Sequence, residues 1–172
     1  MQNFFSYQIT VDDLPQAEQH YQLRTDNEDL MKIKEILKVP SVKSFSSDIY
    51  LKFNQRQHLL KLWGTATALL TLESVVSLEL FDKEYKTEFD LTYDTEATLK
   101  SQREEEEELS INDNTPDVVI NGKIDLADIA IEQIALVMDD YPRQEGEVFS
   151  FKSEFSPEDD AKNPFAALQK LK

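Results

Sequence analysis

The stretch "LLKLWGTATALLTL" limits what this chain can fold into more than any other. Leu60, Leu62, Gly64, Ala66, Ala68, Leu70 and Leu72 occupy every second position without a break. A period of two held that long rules out a helix face and requires a strand with one buried side. Such a strand needs paired neighbours with the same alternation. Upstream, "SDIYLKF" supplies one: Ile49, Leu51 and Phe53 point one way, with Asp48, Tyr50 and Lys52 opposite. "NQRQ" is the expected hairpin turn between them, although it lacks the glycine that a two-residue turn prefers. Downstream, Val76, Leu78 and Leu80 extend the pattern, and Thr87, Phe89, Leu91 and Tyr93 resume it after "FDKEYK". Long alternating strands joined by short turns predict an antiparallel sheet with one wet face.

Two segments have helical period. In "TDNEDLMKIKEILKVP", Thr25 and Glu28 have capping-box spacing, and Leu30, Ile33 and Leu37 share a face. Glu28 and Lys32 pair at i,i+4, and Pro40 ends the helix. The second, "IDLADIAIEQIALVM", starts at a cap provided by Asp125. Asp125, Asp128, Glu132 and Asp139 form a narrow polar stripe on it, and the rest is apolar, so it should be buried across the sheet. "FFSYQITV" (Phe4–Val11) reads as one further strand. The expected fold class is α+β: an antiparallel β-sheet partly covered by two or three helices, with an acidic flexible insert.

That insert is residues 94–117, where hydrophobic period disappears and "REEEEELSINDNTPD" runs. The expected domain spans 1–150, with 151–172 a linker and a short C-terminal helix. In the terminal "NPFAALQKLK", Asn163 stands at a good N-cap position and Pro164 at the first helical position. Phe165 and Leu168 share an apolar face with Leu171, and Lys170 and Lys172 suit the negative end of the helix dipole. A helix that short is not stable alone in water, so it must dock on its own sheet or on a partner. Asn163, Pro164, Phe165, Leu168, Lys170 and Lys172 are therefore the candidate partner-binding residues.

Charge narrows the partners. The chain has 172 residues and a formal net charge of −16. That balance opposes DNA or simple nucleic-acid binding and favours basic partners. The distribution is uneven: Arg24 to Lys61 carries eight Lys/Arg against five Asp/Glu, whereas Asp82 to Asp117 carries four against thirteen. In the basic segment, cations alternate with Phe45, Tyr50 and Phe53, close to Trp63. Cations for phosphate and rings for unpaired bases suit RNA, which makes Lys43, Lys52, Arg56 and Lys61 candidate RNA-binding residues. The ordinary alternative is that the rings are core and the lysines solubilise the other face.

Nothing in the sequence assembles chemistry. There is no cysteine, and His20 and His58 stand apart as ordinary surface or edge residues. Three glycines cannot form a phosphate-cradling loop. The acidic "DNEDL" and "SINDNTPD" do not follow the spacing of a calcium loop. No metal, no cofactor and no enzymatic activity is expected. No secretory signal and no membrane-spanning run is visible, so a cytoplasmic location and no membrane partner are expected.

Three stretches together resemble a known family. "LWGTATALLTLES", "NGKIDLADIAIEQIALVMDDYP" and "NPFAALQKLK" stand in the order and rough spacing of the YceD family, the large ribosomal RNA subunit accumulation proteins. Thr71, Leu72 and Glu73 match its strand motif, and Gly122, Asp125, Leu126 and Glu132 its helix motif. Asn163, Pro164, Phe165, Leu168 and Lys170 match its closing motif. Many members carry Cys-x-x-Cys just after the strand motif, where this chain has Ser74 and Ser77. Metal or redox chemistry at such cysteines cannot exist here. The resemblance implies a non-enzymatic factor for large-subunit ribosomal RNA accumulation and ribosome biogenesis. The partner would be a basic ribosomal protein, held by the acidic surface, or ribosomal RNA. The rival reading is an acidic secretion-type chaperone for an export substrate.

Overall fold

A computed structural model describes residues 5–96 and 116–148. The core is a sheet built around the alternating run. Strands β2 (Gln19–Arg24), β3 (Ser41–Asn54), β4 (Leu59–Glu73) and β5 (Leu80–Asp94) are antiparallel neighbours in that order. A two-residue β6 (Asp117–Val118) adds at the far edge, parallel to the end of β5. A separate small sheet pairs β1 (Gln8–Thr10) with β7 (Lys123–Asp125). Helices α1 (Asn27–Leu37) and α2 (Leu126–Val137) complete the described fold. It is α+β, as expected.

Alternation sets the two faces. Ile49, Leu51, Phe53, Leu60, Leu62, Ala66, Ala68 and Leu70 are buried on one side. Both helices cover that side through Ile33 of α1 and Leu126, Ile129, Ala130 and Ile134 of α2. Their covered face and the sheet form one apolar core, burial that supplies the main driving force for folding. Phe45 and Phe53 belong to this core, so the ordinary reading of those two rings holds. Tyr50 and Trp63 lie on the opposite, wet face with Lys52 and Lys61.

Several local expectations need correction. The N-cap of α1 is Asp26, not Thr25: its side chain accepts from Glu28 N and Asp29 N, and Asp29 reaches back to close the box. A carboxylate also suits the positive end of the helix dipole, and the Thr25 hydroxyl is occupied by the Phe45 carbonyl. Lys32 pairs with Asp29 at 3.4 Å rather than with Glu28. Val76 and Leu78 do not continue β4, and Leu80 opens β5 instead of extending the earlier strand. Ser74 to Leu78 form a turn, Leu78 has a left-handed φ of 61°, and Leu78 and Leu80 are exposed. Among the described residues of Phe4–Val11, only Gln8–Thr10 is strand. The end of α2 is less buried than its composition predicts, with Leu136 71% exposed. Asp125 does cap that helix, accepting from Ala127 N and Asp128 N.

Candidate partner-binding face of the sheet

The register assembles a row that no local stretch of sequence contains. On the wet face His20 of β2 stands opposite Tyr50 of β3, which stands opposite Trp63 of β4, which stands opposite Asp90 of β5. The rings are nearly parallel. His20 and Tyr50 have centroids 4.3 Å apart at 10°, and Tyr50 and Trp63 are 5.9 Å apart at 13°. Tyr50 and Trp63 are half-buried and His20 is exposed. Gly64, next to Trp63, brings β4 unusually close to β3: a Cβ there would lie 2.1 Å from the Asp48 carbonyl oxygen.

Two clefts border this row, and their charges differ. On one side His20, Gln22, Asp48, Tyr50, Trp63, Thr65, Glu88 and Asp90 line an open cleft of about 800 Å³. Its ionic groups are three carboxylates and a histidine, with no lysine or arginine. His20 Nε2 lies 3.0 Å from Asp48 Oδ1. The Gln22 side chain first, and His20 second, hold the Asp48 carboxyl below the usual carboxylate range. On the other side, at the β3–β4 turn, Lys52, Arg56 and Lys61 line a cleft of about 680 Å³ together with Gln16, Asn54, Gln55 and Gln57. No carboxylate lines that second cleft.

Lys52, Arg56 and Lys61 are thus brought together, and Lys43 is not. Lys43 is nine positions along β3 from Lys52, about 30 Å at the rise of an extended strand. Its ammonium pairs with Asp82, across β4 on β5. Lys61 Nζ is 3.0 Å from Asp90, so one of the three cations is already partnered by the carboxylate at the end of the aromatic row. Asn163, Pro164, Phe165, Leu168, Lys170 and Lys172, the linker before them and most of the acidic insert lie outside the described residues.

His20 is the site residue that sequence reasoning undervalued. The signal was present in "QHYQLR", where Gln19, Tyr21 and Leu23 alternate with His20, Gln22 and Arg24 as a strand requires. His58, by contrast, sits in the turn with a left-handed φ of 52°, supplying the backbone bend that a glycine would otherwise provide.

Ser74 and Ser77 are tied into the fold. Both hydroxyls donate to the two carboxylate oxygens of Glu147, and Gln144 N donates to the same carboxylate at 3.0 Å. Val76 N and Ser77 N donate to Ser74 Oγ. Ser74 first, then Ser77, holds Glu147 below the usual carboxylate range. The arrangement fastens the β4–β5 turn to the segment after α2. Among the described residues, no group of three or more His, Cys, Asp or Glu converges to hold a metal ion.

The profile of the family described as large ribosomal RNA subunit accumulation protein YceD matches residues 62–172. The chain belongs to the YceD family. The match takes in Trp63, Glu88 and Asp90, the Ser74–Ser77 turn, α2 and the terminal stretch, while His20, Tyr50 and α1 precede it. No curated protein and no solved structure matches the chain. Membership links the chain to accumulation of large-subunit ribosomal RNA. No described helix is long and apolar enough to cross a membrane.

Proposed function

We propose that this family member is a cytoplasmic, non-enzymatic factor that holds a basic protein of the large ribosomal subunit on its open sheet face. The observation that carries the reading is the carboxylate-lined cleft beside His20, Tyr50 and Trp63. Asp82, Glu84, Glu88 and Asp90 on the outward side of β5 continue that acidic surface, interrupted there only by Lys86. On a chain of net charge −16, such a face attracts basic extensions and repels phosphate. Holding such an extension until assembly shields it from non-specific contact with nucleic acid, a role that needs affinity and no catalysis.

A second reading has its own observation. The carboxylate-free cleft with Lys52, Arg56 and Lys61 adjoins the aromatic row and suits ribosomal RNA. The family match favours either reading over a secretion-type chaperone. One experiment separates them: recover the full chain with its partners from growing cells, with and without ribonuclease. A large-subunit protein that stays bound after ribonuclease supports the first reading. RNA recovery abolished by Lys52→Glu with Arg56→Glu, and protein lost on ribonuclease treatment, supports the second. An export substrate in place of either returns the chaperone reading.

A further inference from the structure

We infer that the cleft beside Trp63 recognises an arginine side chain in an extended basic segment, and that the guanidinium completes the stack His20–Tyr50–Trp63. The inference rests on the reading that the chain holds a basic protein and names the chemistry by which it does so.

The argument starts from the order of the row. The rings stack on one another in strand order, so the faces between them are already used. The register continues beyond Trp63 to Asp90, and the neighbouring row places Glu88 opposite Thr65 and Asp48 opposite Thr65 from the other side. A group that extends the stack at its Trp63 end must therefore be flat, to lie against an indole face. It must also be cationic, because Glu88 and Asp90 stand beside it and Asp48 lines the same cleft. Guanidinium meets both conditions: it is planar, weakly hydrated and permanently charged, and its fork of donors fits carboxylates. An ammonium meets only the second.

A nucleobase meets only the first. A base stacked there would carry its phosphate into a cleft with three carboxylates and no lysine or arginine. Lys61 neutralises Asp90 in part, at 3.0 Å, and Gln22 and His20 already bond to the Asp48 carboxylate. A carboxylate has about four acceptor positions, so each retains room for a guanidinium N–H. Glu88 has no ion pair among the described residues. A metal ion is a poorer occupant, since the three carboxylates do not converge as a metal cluster. An extended segment fits because an open, shallow face admits a main chain laid across strands, with one side chain directed into the cleft.

The chain contains a single tryptophan, Trp63, so its emission reports on the cleft. The test titrates the full chain with acetyl-Gly-Arg-Gly-Arg-Gly-amide. Parallel titrations use the lysine and citrulline counterparts and a single-stranded octaadenylate RNA. The inference predicts saturable change with the arginine peptide, binding about three- to tenfold weaker for lysine, and none for neutral citrulline. Glu88→Gln, at an exposed position, should weaken the arginine peptide about threefold with an unchanged melting temperature. Equal binding of arginine and lysine peptides overturns the inference, as does RNA binding tighter than the arginine peptide. An unaffected Glu88→Gln protein overturns it too. Arginine selectivity without a large-subunit protein among cellular partners sinks the functional reading and leaves the cleft. A large-subunit protein recovered equally by Glu88→Gln does the reverse.

Discussion

Replacing Gly64 by alanine tests the geometry beneath the aromatic row. In most strand interiors this change is mildly favourable, since glycine there is worse than alanine by about 0.5–1 kcal/mol. Here the added Cβ meets the Asp48 carbonyl oxygen at 2.1 Å and Ile49 Cα at 3.0 Å. Both are backbone atoms, so no rotamer change relieves the overlap. Carbon and carbonyl oxygen approach normally to about 3.3 Å, so β3 and β4 must separate locally by roughly 1 Å. That strains or breaks the ladder bonds beside Gly64, each contributing about 0.5–1.5 kcal/mol net. Setting two such bonds and some strain against the backbone gain leaves a net loss of about 1–3 kcal/mol. For a chain of this size the melting temperature should fall by about 3–10 °C. Thermal unfolding by circular dichroism gives the shift, and urea unfolding read by Trp63 emission gives the free energy, with an unchanged m-value showing that the same transition is compared. The native emission should also change, because Trp63 follows its neighbour away from Tyr50. An equal or higher melting temperature for Gly64→Ala would refute the close approach of the two strands.

Ile134 is fully buried where α2 meets the sheet, so Ile134→Ala should cost about 2–5 kcal/mol in urea unfolding, and a cost below about 1 kcal/mol would contradict that packing. Asp139 is held below the usual carboxylate range by Lys83 first and the Tyr85 hydroxyl second. A carboxylate depressed in the folded state adds stability above its unfolded value of about 3.9 and loses it as pH falls through the folded value. Asp139→Asn should therefore lower stability near neutrality by about 0–1 kcal/mol, and melting curves of the two proteins should converge in acid. Burial first, then the bond to Asp139, pushes Tyr85 up to about 12, and burial first, then Asp117 and Glu132, pushes Tyr93 up to about 12. Absorbance titration should show Tyr85 and Tyr93 ionising well after the ordinary value of about 10, with Tyr21 also raised by burial first and Tyr7 second, and stability should fall as pH rises through that interval.

The sheet was legible because period two is a local property. Leu60 to Leu72 and Ile49 to Phe53 announced their own faces, and Asp125 announced its helix by standing ahead of an apolar run. Cross-strand register is not local. That His20 stacks on Tyr50 depends on β2 pairing with β3 across the whole of α1, and β2 is short, polar on one side and easily passed over. The mixed signal in the basic segment had the same cause: Phe45 and Tyr50 look alike in sequence, but they lie an odd number of positions apart on one unbroken stretch of β3, so one enters the core and the other stays on the wet face. Lys43 and Lys52 likewise share a segment and not a site. Leu78 misled for a different reason, since a turn that needs a left-handed residue placed a leucine there, against its usual preference.

The central claim is that the open face of the sheet holds a basic large-subunit protein. It is tested most directly by placing a photoreactive benzophenone amino acid at Thr65, which lines the carboxylate-rich cleft, and irradiating growing cells. Mass spectrometry of the cross-linked product should identify an arginine-bearing segment of a large-subunit ribosomal protein, and the yield should fall with Glu88→Gln. A cross-link to ribosomal RNA at Thr65, or to proteins unrelated to the ribosome, would contradict it.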